Sequence, residues 1–262
     1  MKAFLLAAGR GERLRPLTDF VPKCLLRIDG QPLLQIWLEH LLRSGIDEVL
    51  INTHWLATMI EDFVGTWVAG NSGLKIRLFY EPILLGSAGT LLANREWAGH
   101  EPFFIIYGDN LPRLDLSQMM ACHKKSRQPL TIRVYRGADP ERAGIVCLDE
   151  KDIVIDFEEK PAVPKSDLGA GGIYVADYRM FDFFPSLPPG ETRQVLDLSR
   201  HVLPRMTGRM KAYVNGGSAL DLGTRNSYLA ARKTGSSIRR LRRSQEVPSG
   251  RFPGKSDTGP AR

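Results

Sequence analysis

Four short apolar runs, each set apart from the next by a helical pattern, constrain this 262-residue chain more than any other feature. They are Phe4-Leu5-Leu6, Val49-Leu50-Ile51, the stretch from Lys75 to Tyr80, and Phe103-Phe104-Ile105-Ile106. Runs of this length are strands, and their near-continuous apolar character suits strands covered by helices on both faces. Pro32 can open the first intervening helix, in which Leu34, Trp37, Leu38, Leu41 and Leu42 fall at helical spacing before Gly45 ends it. Further helices are expected from Ala57 to Val68 and from Ala88 to Trp97. Four β units in succession imply an α/β fold with a doubly wound, mostly parallel, Rossmann-like sheet.

After Asp109 the rhythm shortens. Strands are expected near Leu130 to Tyr135, Ile145 to Leu148, Ile153 to Phe157 and Gly172 to Val175, which suits a smaller β lobe on the same sheet. Helical stretches near Gln194 to Leu203 and Asn226 to Arg232 bracket a strand near Met210 to Val214. No internal repeat is visible, and no hexapeptide β-helix is appended.

Charge is unevenly placed. The formal net charge is +7, and residues 235–262 carry seven cations against two acids, or +5 of it. That tail is rich in Gly, Ser and Pro and is expected to be disordered, because it cannot bury enough surface to offset the entropy of ordering. Its basic cluster, Arg239 to Arg243, reads as a solvated terminus, which argues against a nucleic-acid partner. No apolar run approaches the length of a membrane span, and the first strand is too short for a signal peptide, so a soluble, cytoplasmic protein is expected. Cys24, Cys122 and Cys147 lack metal-site or disulfide spacing and are expected to be buried structural residues.

The segment following the first strand, Leu6-Ala7-Ala8-Gly9-Arg10-Gly11-Glu12-Arg13-Leu14-Arg15-Pro16-Leu17-Thr18 with Pro22-Lys23, carries the densest chemistry. Glycines at 9 and 11 let backbone N–H groups approach a polyphosphate, and Arg13, Arg15 and Lys23 can neutralise it. An isolated Gly-x-Gly is an ordinary βα turn; the clustered cations are what point to an anionic ligand. Walker A is absent, and a dinucleotide fingerprint would need Gly or Ala where Leu14 stands, with a helix where Pro16 requires a longer loop. Asp109 directly follows an apolar strand, so its carboxylate belongs at the sheet's C-terminal edge, where open α/β sheets bind ligands.

This loop closely resembles the signature of sugar-1-phosphate nucleotidyltransferases, and the resemblance continues in order through Gly86-Ser87-Ala88-Gly89, Gly108-Asp109-Asn110, Glu158-Glu159-Lys160-Pro161, Gly171-Gly172 and Asp221-Leu222-Gly223-Thr224. It implies one nucleotidyltransferase domain over residues 1–234, with a nucleotide-binding part at about 1–115 and a sugar-binding β lobe at about 116–234. The substrates implied are a nucleoside triphosphate and a sugar 1-phosphate. Leu6, Ala8, Gly9, Gly11, Glu12, Arg13, Lys23, Glu81, Gly86, Ala88 and Asp109 would bind the nucleotide, and Gly144, Glu159, Lys160 and Gly172 the sugar phosphate. Arg13, Lys23, Asp109 and Lys160 would carry catalysis. Asp109 and Asp221 would hold Mg2+, a cation commonly bound by one or two carboxylates plus phosphate oxygens. The resemblance also makes a homodimer plausible, and gives no membrane role.

Glu81 bears on the base. An ionised carboxylate only accepts hydrogen bonds, and guanine presents adjacent N1–H and N2–H donors, so Glu81 favours GTP over UTP, dTTP or CTP. The loop from Tyr80 to Gly89 also looks like that of mannose-1-phosphate guanylyltransferases, making GTP and mannose 1-phosphate the expected pair. Cys24, Ala8 and Ala219 depart from common family residues, and none of these departures removes a charge. A sugar-nucleotide sensor without turnover would be expected to lose Lys23, Asp109, Lys160 or Asp221; all four are present.

Overall fold

The apolar runs become parallel neighbours in the computed structural model, which describes residues 1–111, 114–136, 141, 143–186, 195–214 and 222–233. In chain order the first four strands of the main sheet are β1 (Lys2–Leu6), β2 (Glu48–Thr53), β3 (Lys75–Tyr80) and β4 (Phe103–Tyr107), while Arg27–Ile28 and Gln31–Pro32 pair as a separate two-stranded ribbon. β1 lies between β2 and β4, and β3 flanks β2, all parallel. The crossovers are helical: α1 (Leu33–Arg43), α2 (Ala57–Ala69) and α3 (Gly86–Ala93). A parallel connection must return to the same end of the sheet, and a helix does so while covering a face.

Strand periodicity explains the unbroken apolar runs. Ala3 and Leu5 pack with Leu34, Trp37, Leu38 and Leu41 of α1 on one face, whereas Phe4 packs with Ala88 and Leu91 of α3 on the other. Successive side chains point to opposite faces, so a strand covered twice needs apolar residues at every position. Fully burying each large side chain contributes about 1.5–3 kcal/mol. Gly45, at φ 73°, follows α1 in the left-handed conformation that ends helices at little steric cost.

Five further strands complete the same nine-stranded sheet. They are β5 (Leu130–Arg136), β6 (Gly144–Leu148), β7 (Val154–Glu159), β8 (Leu168–Ala176) and β9 (Met210–Val214). The order is β9-β5-β8-β4-β1-β2-β3, with β6 pairing β8 and β7. β8 runs antiparallel to both β4 and β5, and its register against β5 shifts between Ala170 and Tyr174. Two further long helices among the described residues are α4 (Leu116–Ser126) and α5 (Arg225–Lys233). The sheet is thus parallel through its first half and mixed beyond it.

Some expectations are corrected. The stretch expected to be helical near Gln194 to Leu203 is helical from Leu198, as a π turn, Leu198–Val202, followed by a 3-10 turn, Leu203–Met206, while Gln194 lies outside the described residues. Pro204 has no N–H to donate back along that helix. The helix expected from Ala88 to Trp97 starts at Gly86 and breaks at Asn94, resuming for one turn at Arg95–Ala98. Cys24 is buried, with its thiol pushed up to about 12 by burial, but Cys122 and Cys147 are only partly buried. The basic tail lies outside the described residues, and no described helix is long and apolar enough to cross a membrane.

The topology fixes where a ligand can sit. From β1 the chain steps outward to β2 and β3, then returns to the other side of β1 for β4. Loops leaving β1 and β4 therefore diverge at the strands' C-terminal ends and leave a crevice between them.

Candidate active site

Two adjoining clefts occupy that crevice, of about 680 Å³ and about 140 Å³. Arg13, Tyr107 and Asp109 line both.

The larger cleft is bounded by the loop after β1. Leu6, Ala8, Gly9, Gly11, Glu12, Arg13, Lys23, Glu81, Gly86 and Asp109 all line it, as ten of the eleven residues expected to bind nucleotide. Ala88 does not; it is fully buried, and its N–H donates to the Leu196 carbonyl at 2.8 Å. Arg15 also turns away and pairs with Asp19 at 3.1 Å. Arg10, which the sequence did not single out, lines the cleft beside the Trp55 ring.

Local geometry holds the glycine loop open. Gly11 sits at φ 65°, and a Cβ there would come within 2.9 Å of Thr18, whose hydroxyl donates to the Gly11 carbonyl at 2.9 Å. The Trp55 indole N–H fixes Thr18 in turn by donating to its carbonyl at 2.8 Å. The backbone N–H groups from Gly9 to Arg13 donate to no acceptor among the described residues. A run of free amides beside cations is an anion cradle.

Lys23 and Asp109 meet at the base of this cleft, with Nζ donating to Oδ2 at 2.7 Å. Gly108 places Asp109: its N–H donates to the Leu6 carbonyl at 2.9 Å, and a Cβ there would lie 3.0 Å from that same oxygen. β1 and β4 can separate into their loops only after this tight step. Asp221 lies outside the described residues, but its sequence neighbour Leu222 donates its N–H to the Asp109 carbonyl at 3.1 Å. No cluster of three or more metal-ligating side chains occurs among the described residues. The donor set here suits a cation whose remaining ligands are phosphate oxygens, because Oδ1 of Asp109 has no protein partner among those residues.

Glu81 lines the larger cleft and is also held by a network of its own. It is buried, and its Oε1 accepts from Asn52 Nδ2 at 2.9 Å and from the Thr90 hydroxyl at 2.5 Å, while Oε2 accepts from the Leu85 N–H at 2.9 Å. Asn52 Oδ1 in turn accepts from the Ala7 N–H at 2.7 Å. Glu81 therefore ties the ends of β1, β2 and β3 to the start of α3. Asn52 was legible in principle, being the first polar residue after the apolar run of β2, as Asp109 is after that of β4.

The smaller cleft collects the second group of expected residues: Gly144, Glu159, Lys160 and Gly172. Gly144 pairs with Glu159 across β6 and β7, and a Cβ at Gly144 would lie 2.7 Å from the Phe157 ring and 3.0 Å from Glu159 Oε2. Gly172, at φ 66°, passes so close to Asn110 that a Cβ would stand 2.6 Å from Nδ2. Lys160 adopts φ 52°, unusual for a side-chain-bearing residue and characteristic of functional sites. Its N–H donates to the Ala143 carbonyl at 3.1 Å, and its ammonium lies 3.2 Å from Glu159. A carboxylate acceptor thus stands beside a half-exposed cation. Together the clefts can hold a polyphosphate in one and a small phosphorylated, hydroxyl-rich molecule in the other.

Comparison with known proteins places the chain in a family. A family model described as nucleotidyl transferase matches residues 2–237. The mannose-1-phosphate guanylyltransferase of Mycobacterium tuberculosis is 30% identical over 231 residues, which is 87% of this chain and 62% of that protein. The glucose-1-phosphate thymidylyltransferase of Neisseria gonorrhoeae is 32% identical over 235 residues, covering 87% of this chain and 80% of that one. Among solved structures, apo UDP-glucose pyrophosphorylase superposes with a TM-score of 0.75 at 22% identity, covering 91% of this chain and 98% of that one.

Proposed function

The chain belongs to the nucleotidyl transferase family, and from that premise we propose that it joins a nucleoside triphosphate to a sugar 1-phosphate, giving an NDP-sugar and pyrophosphate. The observation that carries this reading is the pair of adjoining clefts sharing Arg13 and Asp109, one bearing the glycine loop and Lys23, the other Glu159 and Lys160. The larger is the triphosphate site and the smaller the sugar-phosphate site, matching a nucleotide-binding part at about 1–115 and a sugar-binding part at about 116–234.

The chemical problem is to bring two polyanions together. A phosphate oxygen of the sugar attacks the α-phosphorus in line as pyrophosphate leaves, so the protein must position and neutralise rather than supply a nucleophile. Free amides from Gly9 to Arg13 cradle the triphosphate, and Arg13 spreads positive charge across both clefts. Lys23 neutralises the phosphates at the reacting centre. Lys160 holds the attacking phosphate, and Glu159 accepts hydrogen bonds from sugar hydroxyls and orients the ring. Asp109 and Asp221 would hold Mg2+, which when bound supplies charge neutralisation on the triphosphate.

GTP with mannose 1-phosphate is the pair we place first, on the resemblance of the loop from Tyr80 to Gly89 to that of mannose-1-phosphate guanylyltransferases. Glu81 does not carry that choice, since three of its four acceptor positions serve Asn52, Thr90 and Leu85. UTP, dTTP and CTP stand behind GTP. The deciding experiment is a pyrophosphate-release screen of the four triphosphates against a panel of sugar 1-phosphates, with and without magnesium. Metal-dependent release with one pair establishes class, base and sugar together, and silence across the panel removes the proposal.

A further inference from the structure

One cation of the larger cleft has no part in the mechanism above. Arg10 stands between the two glycines of the loop after β1, is exposed, and lines the larger cleft but not the smaller. Among the described residues its guanidinium pairs with no carboxylate and rests over the Trp55 ring, with Cζ 5.8 Å from the ring centroid. Trp55 is fixed to the same loop: its indole N–H donates to the Thr18 carbonyl at 2.8 Å, and the Thr18 hydroxyl donates to the Gly11 carbonyl at 2.9 Å. An exposed aromatic face holds a cation only weakly, whereas phosphate oxygens offer a guanidinium two parallel charge-assisted hydrogen bonds. Arg10 is thus a mobile charge on a rigid stand, at the wall of a cleft suited to a polyanion.

The direction of the reaction decides which phosphates it meets. In an in-line displacement the attacking oxygen and the leaving group lie on opposite sides of the phosphorus. The attacking phosphate comes from the smaller cleft, beside Lys160, and Arg13 and Asp109 line both clefts and so mark the junction where the α-phosphorus must stand. The leaving pyrophosphate therefore points away from the smaller cleft and into the larger one, where the free amides from Gly9 to Arg13 lie. Arg10 belongs to that stretch. An uncharged base would give its guanidinium no counter-charge, whereas the pyrophosphate group carries several.

We infer that Arg10 clamps the pyrophosphate end of the triphosphate, drawn from the Trp55 ring to the β- and γ-phosphates. The inference rests on the reaction proposed above. In that position Arg10 balances the charge that builds on the leaving group as the bond from the α-phosphorus to the bridging oxygen breaks, and the same contact binds free pyrophosphate when the reaction runs backward.

The reverse reaction isolates this contact, because it presents the two ends as separate molecules. Triphosphate formation from inorganic pyrophosphate and the NDP-sugar is measured for the wild type, Arg10→Ala and Arg10→Lys, with the NDP-sugar of the pair that the wild type uses. Arg10→Ala should raise the KM for pyrophosphate about tenfold and leave the KM for the NDP-sugar within about twofold. Arg10→Lys keeps the charge without the fork and should recover part of that loss. An unchanged pyrophosphate KM, or an equal rise for pyrophosphate and the NDP-sugar, overturns the inference while leaving the reaction standing. A wild type that turns over no pair in either direction removes the reaction and this contact with it. Arg10→Ala should melt within about 2 °C of the wild type, as an exposed substitution does; a larger drop would make Arg10 a structural residue and would also overturn the inference.

Discussion

Lys23 Nζ lies 2.7 Å from Asp109 Oδ2, although 86 residues separate the two in sequence. Their side chains are only 12% and 36% exposed, so this is a partly shielded ion pair and not a surface contact. Removing either member leaves the other in a cleft built for charge compensation. Asp109→Ala should lower turnover at least about a hundredfold, roughly 3 kcal/mol of transition-state stabilisation. Lys160→Ala should do the same from the neighbouring cleft. Pyrophosphate release checks both, and near-normal rates in either variant would refute the roles assigned.

Glu81→Gln tests whether the buried carboxylate is scaffold or base reader. An amide has one acceptor oxygen where the carboxylate offers two, so its NH2 would face either the Asn52 and Thr90 donors or the Leu85 N–H. A stability loss of about 1–3 kcal/mol is expected, measured by urea denaturation. Because Asn52 holds the Ala7 N–H, kcat/KM should fall alike for every triphosphate. A selective switch from one base to another would restore Glu81 as a reader.

Gly86 tests how the second half of the chain is clamped to the first. It sits at φ 77°, and a Cβ there would stand 2.4 Å from the Leu196 carbonyl oxygen. Backbone cannot yield as a flexible side chain can. Gly86→Ala should cost at least about 2 kcal/mol, from the left-handed conformation plus the clash. Gly9→Ala is the control: nothing lies within 4 Å of its Cβ position, and its stability should stay within about 0.5 kcal/mol of wild type. Equal unfolding midpoints for the two variants would contradict the clamp.

Acid should destabilise the fold through buried histidines. His123 is held below its ordinary value near 6.5, first by burial, with Asp177 opposing and Arg179 and Lys124 reinforcing the shift. His40 is lowered in the same way, by burial and then Arg43. Both take up a proton at lower pH in the folded protein than in the unfolded chain, which takes them up from about 6.5 downward. The stability they contribute is thus complete above that value and is lost as pH falls below it. The melting temperature should drop between about pH 7 and about pH 5, and His123→Gln should flatten part of that fall. An identical slope in the variant would show that the histidine does not titrate as argued.

Legibility followed physical range. β1 to β4, α1 and α2 could be read because their signal is local: apolar runs of strand length, helical spacing, and Pro32 and Gly45 at the helix ends. The helical character of the region up to Leu203 was legible, but apolar spacing alone does not reveal that it is split into a π and a 3-10 turn. At the site, Lys23 stood out among the clustered cations of the glycine loop and Asp109 at the end of an apolar strand, whereas Glu159 and Lys160 were marked only by the family resemblance. Tyr107 did not stand out, since a tyrosine at the end of a buried strand looks like core until it is seen to line both clefts.

The sequence by itself determined the doubly wound half of the sheet, the glycine and cation loop, and the six ordered motifs that identify the family, because each lies within a short stretch of neighbouring residues. Only the tertiary structure decided that Glu81 braces three strand ends, that Arg15 turns to Asp19, and that Tyr107 lines two clefts. Those outcomes depend on which donors and charges the fold brings within about 3 Å of one another. Such distances are set by strand register and loop path across tens of residues, and no local pattern of residue types encodes them.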